Sequence, residues 1–108
     1  MDTIEKTWIE RTNSDGKTSR ICIGKDTEIK PTAKIRDKVT IGDRATVGGI
    51  AYVGRNSTIG DDSSIGFAAT IHDNAQLGDH VIVEDFGIVM AGANVPSGTI
   101  IKKGKVYY

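Results

Sequence analysis

The 108-residue sequence has little that would constrain it through covalent cross-links or net charge. Its single cysteine, Cys22, cannot form an internal disulfide. The 14 Lys and Arg residues balance the 14 Asp and Glu residues, so no overall field attracts nucleic acid or an anionic membrane. No apolar stretch near the N-terminus resembles a signal peptide or a membrane span. We therefore expect a cytoplasmic protein in a reducing environment, with neither nucleic acid nor membrane as a partner.

Apolar residues are also scarce. Hydrophobic residues make up 38% of the chain, which is low for a protein that must enclose a globular core. Either the core is thin or partner molecules complete it. The length suits a single domain.

What the sequence does contain is a branched apolar residue at every sixth position. From Ile23 to Ile101 this residue fills fourteen consecutive positions, and a mostly small residue lies two places before each. Turn-forming residues lie between them, as in Gly42-Asp43-Arg44. Neither a helix period nor a simple strand period explains this spacing. An internal repeat therefore determines the fold prediction.

Each six-residue unit is interpreted as a short strand with one inward side chain, followed by a turn. Three units then form a triangular coil of 18 residues, and successive coils stack by parallel strand pairing at about 4.8 Å. Fourteen units predict between four and five coils.

With this repeat, the sequence resembles the hexapeptide-repeat family, which includes acyltransferases and γ-class carbonic anhydrases. The resemblance runs from Thr18 to about Gly104, and the closing run Val95–Gly104 is similar to the end of an acyltransferase helix. It implies an all-β fold, a left-handed parallel β-helix in the form of a triangular solenoid with a short N-terminal cap. The hand of the helix comes from the resemblance and not from the spacing.

The repeat divides the chain into three parts. Residues 1–20 break the period, and the turn signal at residues 13–16 predicts a cap or hairpin over the first coil. Residues 21–104 are predicted to form the β-helix. Residues 105–108 are predicted to form a C-terminal tail.

Residues 18 apart should stack on one side of the solenoid, so the outward positions sort into columns. One turn edge collects Asp43, Asp61, Asp62 and Asp79. This ladder is interpreted either as a solvated edge or as a site for a bound cation, because adjacent carboxylates supply oxygen ligands. The sequence leaves both interpretations open.

The next turn edge is apolar and carries Phe67 and Phe86, the two phenylalanines of the chain. Their place on an edge outside the narrow core predicts a buried contact between chains. Such a contact is heterologous and closes into a ring when the rotation is right. The resemblance implies a homotrimer.

The two histidines, His72 and His80, fall at different corners, too far apart to share a proton or a metal within one chain. By resemblance to the γ-class carbonic anhydrases, His72 takes the place of one metal-binding histidine, and Phe67 replaces another. Too few donors remain for a catalytic zinc. We predict no metal site, and a carbonic anhydrase-like protein without a full metal site is the least favoured interpretation.

Hexapeptide-repeat acyltransferases use a histidine in a subunit cleft as general base, and the resemblance assigns this role to His72. Acetyl-coenzyme A or another acyl-coenzyme A would then be the co-substrate. The clustered lysines near its phosphates would be Lys102, Lys103 and Lys105. The candidate residues for substrate binding at the cleft are Tyr52, Phe67, Asp73, Asn74, Phe86 and Met90.

The alternative is a trimer without catalytic activity, which binds a small ligand in the cleft or serves as a structural or assembly module. The acyltransferases that the sequence resembles usually insert a long loop between coils and add a helical domain. Here the fourteen units run without interruption. Whether the protein is an enzyme stays open at this point.

Overall fold

The computed structural model describes residues 7–108, which fold into sixteen β-strands and, within that range, no helix. The first six residues, part of the predicted cap, lie outside the described residues. The strands are Thr7–Thr12 (β1), Thr18–Ile23 (β2), Glu28–Ile29 (β3), Lys34–Ile35 (β4), Thr40–Ile41 (β5), Thr46–Val47 (β6), Tyr52–Val53 (β7), Thr58–Ile59 (β8), Ser64–Ile65 (β9), Thr70–Ile71 (β10), Gln76–Leu77 (β11), Ile82–Val83 (β12), Ile88–Val89 (β13), Asn94–Val95 (β14), Ile100–Ile101 (β15) and Val106–Tyr107 (β16).

Every third strand belongs to the same sheet, as a triangular solenoid requires. The first sheet has the order β1-β2-β5-β8-β11-β14, the second runs from β3 to β15, and the third from β4 to β16. Neighbouring strands from β2 onward are parallel, and partners are 18 residues apart, for example Ile41 with Ile59. The all-β parallel β-helix predicted from the six-residue period is confirmed, and the left hand that the resemblance implies agrees with the structure.

The core is a single stack of the repeated apolar residues. Ile35, Val53, Ile71 and Val89 form one column on the third sheet, and all four are fully buried. Small residues such as Ala69 fill the space at the corners. Complete burial of an Ile or Val side chain stabilises the fold by about 1.5 to 3 kcal/mol. The low hydrophobic content is sufficient because the interior is only one side chain deep.

Tight corners connect the strands, and each corner includes a residue with left-handed backbone geometry. One position in six from Asp26 to Gly104, Thr32 excepted, has a positive φ, and ten of these residues are not glycine. Asp and Asn tolerate this conformation better than other residues with a Cβ atom. The corner sequence therefore allows the chain to turn by about a third of a circle every six residues.

An N-terminal hairpin covers the start of the first sheet. Strands β1 and β2 pair antiparallel, from Thr7 with Ile23 to Thr12 with Thr18. Trp8 lies opposite Cys22, whose side chain is buried beneath the hairpin. This pairing covers an edge that would otherwise be free to associate with another chain.

Asn13, in the hairpin turn, completes the edge of the third sheet. Its side chain is buried, its Nδ2 donates to the carbonyl of Ile35 at 2.8 Å, and its Oδ1 accepts from the amide of Ile35 at 3.0 Å. Nδ2 also lies 3.2 Å from the hydroxyl oxygen of Ser19. The Asn13 side chain thus makes the hydrogen bonds that a further strand above β4 would otherwise make.

Arg11 has the same function at the neighbouring corner. Its Nη2 donates to the carbonyl oxygens of Lys30 and Ala33 at 3.1 and 3.0 Å. Partial burial lowers the pKa of the guanidinium, which nevertheless stays protonated. The hairpin therefore covers the first coil by a strand at the first sheet, an amide at the third sheet and a guanidinium at the corner between the second and third sheets.

The C-terminal end extends further than the sequence predicted. Val106–Tyr107 forms β16, which pairs in parallel with β13, so residues 106–107 are a strand and not a tail. Strands β2 to β16 make five coils of three strands, where fourteen repeats predicted between four and five. The sequence missed this strand because Tyr107 takes the inward position where an Ile, Val or Leu was required, and its ring packs on the end of the core.

We expect Asn13→Ala to destabilise the protein by about 2 to 4 kcal/mol, because the buried amide and carbonyl of Ile35 would lose their partners. Urea unfolding followed by circular dichroism measures this loss. Asn94→Ala is the matched control, since Asn94 is exposed on β14. Equal stability of the two variants would contradict a capping role for Asn13.

Candidate functional site

The three corners of the solenoid differ in chemistry. We call the corner between the first and second sheets the acidic corner, which includes residues 43–44, 61–62 and 79–80. The corner between the second and third sheets is the apolar corner, which includes residues 49–50, 67–68 and 85–86. The corner between the third and first sheets is the mixed corner, which includes residues 37–38, 55–56 and 73–74.

The carboxylates of the acidic corner hydrogen-bond to the backbone of the preceding coil. Oδ1 of Asp43 accepts from the amide of Lys25 at 3.0 Å, and Oδ1 of Asp61 accepts from the amide of Asp43 at 2.8 Å. Asp79 accepts from the amide of Asp61 in the same way. Among residues 7–108 no group of His, Cys, Asp or Glu side chains is arranged to hold a metal ion. The ladder therefore joins the coils.

A glycine makes room for each of these carboxylates. A Cβ atom on Gly60 would lie 2.5 Å from Oδ1 of Asp79, and one on Gly42 would lie 2.3 Å from Oδ1 of Asp61. A glycine followed 19 residues later by an aspartate is thus the sequence signal of this contact. The same pair recurs outside the acidic corner as Gly54 with Asp73.

His80 also belongs to the acidic corner. Its Nε2 lies 4.0 Å from Oδ2 of Asp62, and 70% of its side chain is exposed. Arg44 binds both oxygens of Asp62, at 2.7 and 3.1 Å, and this contact lowers the pKa of Asp62. His80 is therefore a surface residue. It follows β11 of the first sheet, whereas His72 precedes β11, so this strand separates the two histidines.

The apolar corner presents aromatic and aliphatic side chains to the outside. The rings of Phe67 and Phe86 meet edge to face with centroids 6.0 Å apart, and each residue is about half exposed. Ile50, one coil above, is 49% exposed and has a φ of 46°. A β-branched residue with positive φ is an outlier that costs free energy. A partner surface that packed on these exposed apolar groups would remove them from water and so offset the cost in free energy.

His72 follows β10 at the opposite edge of the third sheet. Its amide donates to the carbonyl of Val89 and its carbonyl accepts from the hydroxyl of Ser57, which fixes the backbone. The half-buried imidazole makes no hydrogen bond to any residue from 7 to 108. One side of this ring therefore remains available for a substrate or a partner chain.

The remaining predicted site residues divide into two groups. Tyr52 lies on the outer face of the third sheet, and Met90, 40% exposed, lies one coil below His72. Asp73 and Asn74 turn the mixed corner directly after His72. Oδ1 of Asp73 accepts from the amide of Arg55 at 2.9 Å, so this carboxylate also has a structural contact.

Phe67 and Phe86 form the second group, which the fold separates from His72. Phe67 begins the corner before β10 and His72 follows β10, so the two residues lie at opposite ends of this strand. Three depressions of about 340, 350 and 430 Å³ on the surface are lined by other residues. A single chain therefore presents the two halves of the predicted cleft on opposite edges of one sheet.

One cluster was not predicted from the sequence. Arg36, two coils above His72, forms an ion pair of 2.9 Å with Asp15 in the hairpin turn, and its guanidinium lies over the Tyr52 ring at 5.3 Å from the centroid. The guanidinium lowers the pKa of Asp15. Arg36 lies 36 residues before His72 and so shares its column, but nothing in the six-residue period located the hairpin beside it.

No family model matches the chain, and no curated protein matches it. Among solved structures, a hexapeptide transferase family protein from Anaplasma phagocytophilum matches with 19% identity and a TM-score of 0.34, over 82% of this chain and 73% of that one. This match identifies no site residue.

A strand recurs at every sixth residue, strands 18 residues apart pair in parallel, and residues with a positive φ turn the corners. The chain is a parallel β-helix built from six-residue repeats. No helix among residues 7–108 of this hexapeptide-repeat protein is long and apolar enough to cross a membrane.

We expect Asp61→Ala to destabilise the hexapeptide-repeat protein by about 1 to 2 kcal/mol, because the amide of Asp43 loses a charged acceptor. Asp61→Asn, which keeps an oxygen at this place, should lose less than half as much. Both are measured by urea unfolding with and without calcium chloride. A stability gain from calcium that Asp61→Asn abolishes would instead establish a cation site.

Proposed function

We propose that the protein is a homotrimer with a cleft between subunits, and that it transfers an acyl group from a thioester such as acetyl-coenzyme A to a small molecule. The observation that carries this proposal is the position of His72. Its imidazole is half-buried, makes no hydrogen bond to residues 7–108 and lies at the edge of the third sheet that is farther from the apolar corner. In the acyltransferases that the sequence resembles, such a histidine acts in a subunit cleft.

The apolar corner supports the assembly. Phe67, Phe86 and Ile50 are each about half exposed, although every one of them would be more stable in contact with other apolar atoms. The exposed Ile82 and Ile100 continue this surface onto the second sheet. When this edge packs beside the third sheet of the next chain, Phe67 of one subunit approaches His72 of another. Repetition of this heterologous contact around a threefold axis closes the ring.

The proposed reaction needs one proton acceptor. The neutral imidazole of His72 removes the proton from a hydroxyl or amine of the acceptor molecule while the oxygen or nitrogen attacks the thioester carbon. The new carbon–oxygen or carbon–nitrogen bond forms, the carbon–sulfur bond breaks, and the proton passes to the leaving thiolate. Imidazole suits this role because its ordinary pKa is near neutrality.

The other candidate residues would contact the substrate. Tyr52 and Met90 lie on the same side of the chain as His72, and Phe67 and Phe86 would approach from the neighbouring subunit. Asp73 and Asn74 would take part at the mixed corner, beside His72. We propose the cytoplasm as the compartment, where the buried thiol of Cys22 stays reduced.

A second candidate function is ligand binding or assembly without catalysis. The observation that favours it is the regularity of the coils, in which no segment long enough to form a lid interrupts residues 21–107. No hydrogen bond within the described chain orients the His72 imidazole, whereas catalytic bases are usually held by a partner. A carbonic anhydrase-like activity has least support, because Phe67 supplies no metal ligand.

The double variant Phe67→Glu, Phe86→Glu is expected to be monomeric, because two buried carboxylates would oppose the apolar contact. Sedimentation velocity measures the change from trimer to monomer. The matched control is Gln76→Glu, Asn94→Glu, which adds the same charge to the polar face of the first sheet and should remain trimeric. An unchanged sedimentation coefficient in the Phe variant would refute this interface.

His72→Gln is expected to lower acetyl-coenzyme A turnover by about a hundredfold or more while the trimer persists, because the general base is lost. Turnover is measured as release of the free thiol in the presence of a panel of small amines and alcohols. His80→Gln is the control and should retain activity, since His80 lies on the acidic corner.

Three outcomes of these measurements separate the candidate functions. Turnover retained in His72→Gln would remove this residue from the role of base. Turnover lost in His72→Gln alone would support acyl transfer. A wild-type trimer that neither binds acetyl-coenzyme A by calorimetry nor consumes it would favour ligand binding or assembly.

A further inference from the structure

A depression of about 350 Å³ lies between the N-terminal hairpin and the mixed corner, on the side of the molecule that carries the His72 column. We call it the hairpin groove. Its lining residues are Lys17, Thr18, Ser19, Arg36, Asp37 and Arg55. They come from the hairpin and from two successive coils, so that only the folded chain brings them together.

The charges of the hairpin groove are mainly positive. Lys17, Arg36 and Arg55 face one carboxylate of the lining, that of Asp37, while Asp15 lies beside the lining and pairs with Arg36. Oδ1 of Asp37 already accepts from the amide of Arg20 at 3.0 Å. Within residues 7–108, neither Lys17 nor Arg55 forms an ion pair. Two exposed cations therefore face the groove without a counter-charge bound to them.

Contacts within the chain hold the Arg36 side chain in place at the edge of the groove. Its Nη2 is held by Asp15 at 2.9 Å, and the Tyr52 ring lies against the guanidinium. Nη1 is buried and has no hydrogen-bond acceptor among the described residues. A buried donor without an acceptor is costly, and an oxygen atom placed against the guanidinium relieves this cost. Arginine donors are well suited to the oxygens of phosphate and carboxylate groups.

We propose that the hairpin groove binds an oxyanion, namely the phosphate or carboxylate group of a small molecule. The groove is large enough for such a group and its neighbouring atoms, since sites for whole small molecules begin at about 300 Å³. Lys17 and Arg55 attract the anion, and Arg36 directs it. The threonine and serine of the lining surround the same space.

The groove also lies at a useful distance from His72. Arg36, Gly54 and His72 occupy one column, two coil spacings or about 10 Å from top to bottom. A small molecule with its anionic end in the groove therefore reaches the imidazole with its other end. This link rests on the proposed function, whereas oxyanion binding by the groove does not.

The test uses the intact protein and inorganic phosphate as the probe. Phosphate is titrated at low ionic strength by calorimetry, and acetate is titrated in parallel to distinguish phosphate from carboxylate recognition. The variant Lys17→Gln, Arg55→Gln should bind phosphate at least about tenfold more weakly, because two charge-assisted contacts are lost. The matched control Lys25→Gln, Lys30→Gln removes the same charge from exposed positions of the first coil outside the groove and should bind as the wild type does.

Each outcome has one meaning for the groove. No phosphate or acetate binding by the wild type, or an equal loss in both double variants, would overturn the proposal in favour of general attraction by surface charge. Selective loss in Lys17→Gln, Arg55→Gln supports it, and binding of acetate as well as phosphate extends the site to carboxylates. Selective loss without acetyl-coenzyme A turnover by the wild type would uphold the groove and refute only the proposed acyl transfer.

Discussion

The structure depends on the contact between each coil and the next. Eighteen residues must return the chain to a point directly above its start, and the backbone amides of one coil must meet the carbonyls of the following one. This stacking leaves so little space at the corners that a Cβ atom on Gly60 would collide with the carboxylate of Asp79 in the next coil. The aspartate oxygen takes that place and accepts a backbone hydrogen bond. Corner composition is therefore largely a result of coil stacking.

The same constraint organises the surface into columns. Side chains 18 residues apart share a corner. Similar residues at this spacing therefore stack on one another, as the carboxylates and the phenyl rings do here. Carboxylates collect at the acidic corner and are held there by backbone amides. Phenyl rings collect at the apolar corner, where no backbone contact accounts for their exposure. The contrast separates side chains that the fold requires from side chains that are left for a partner.

A triangular prism with uninterrupted sides has little concave surface of its own. His72 and Phe67 therefore lie on opposite edges of one sheet, and a cleft between them requires two chains. The hairpin supplies the exception, because it departs from the repeat and leaves a groove where it meets the first and second coils. Both candidate binding surfaces thus arise where regular stacking ends or where one prism meets another.

The sequence by itself determined the repeat, the inward residues and the columns, because a six-residue period leaves one arrangement in which the repeated Ile, Val and Leu residues all point inward. It also placed Phe67 and Phe86 on an outer edge. The tertiary structure decided what the period does not encode: Asn13 completing the third sheet, Arg36 pairing with Asp15, and Tyr107 closing the last coil. These contacts join segments outside the repeat to segments within it. Their partners depend on how the hairpin folds over the first coil, and the spacing of residues along the chain does not specify that geometry.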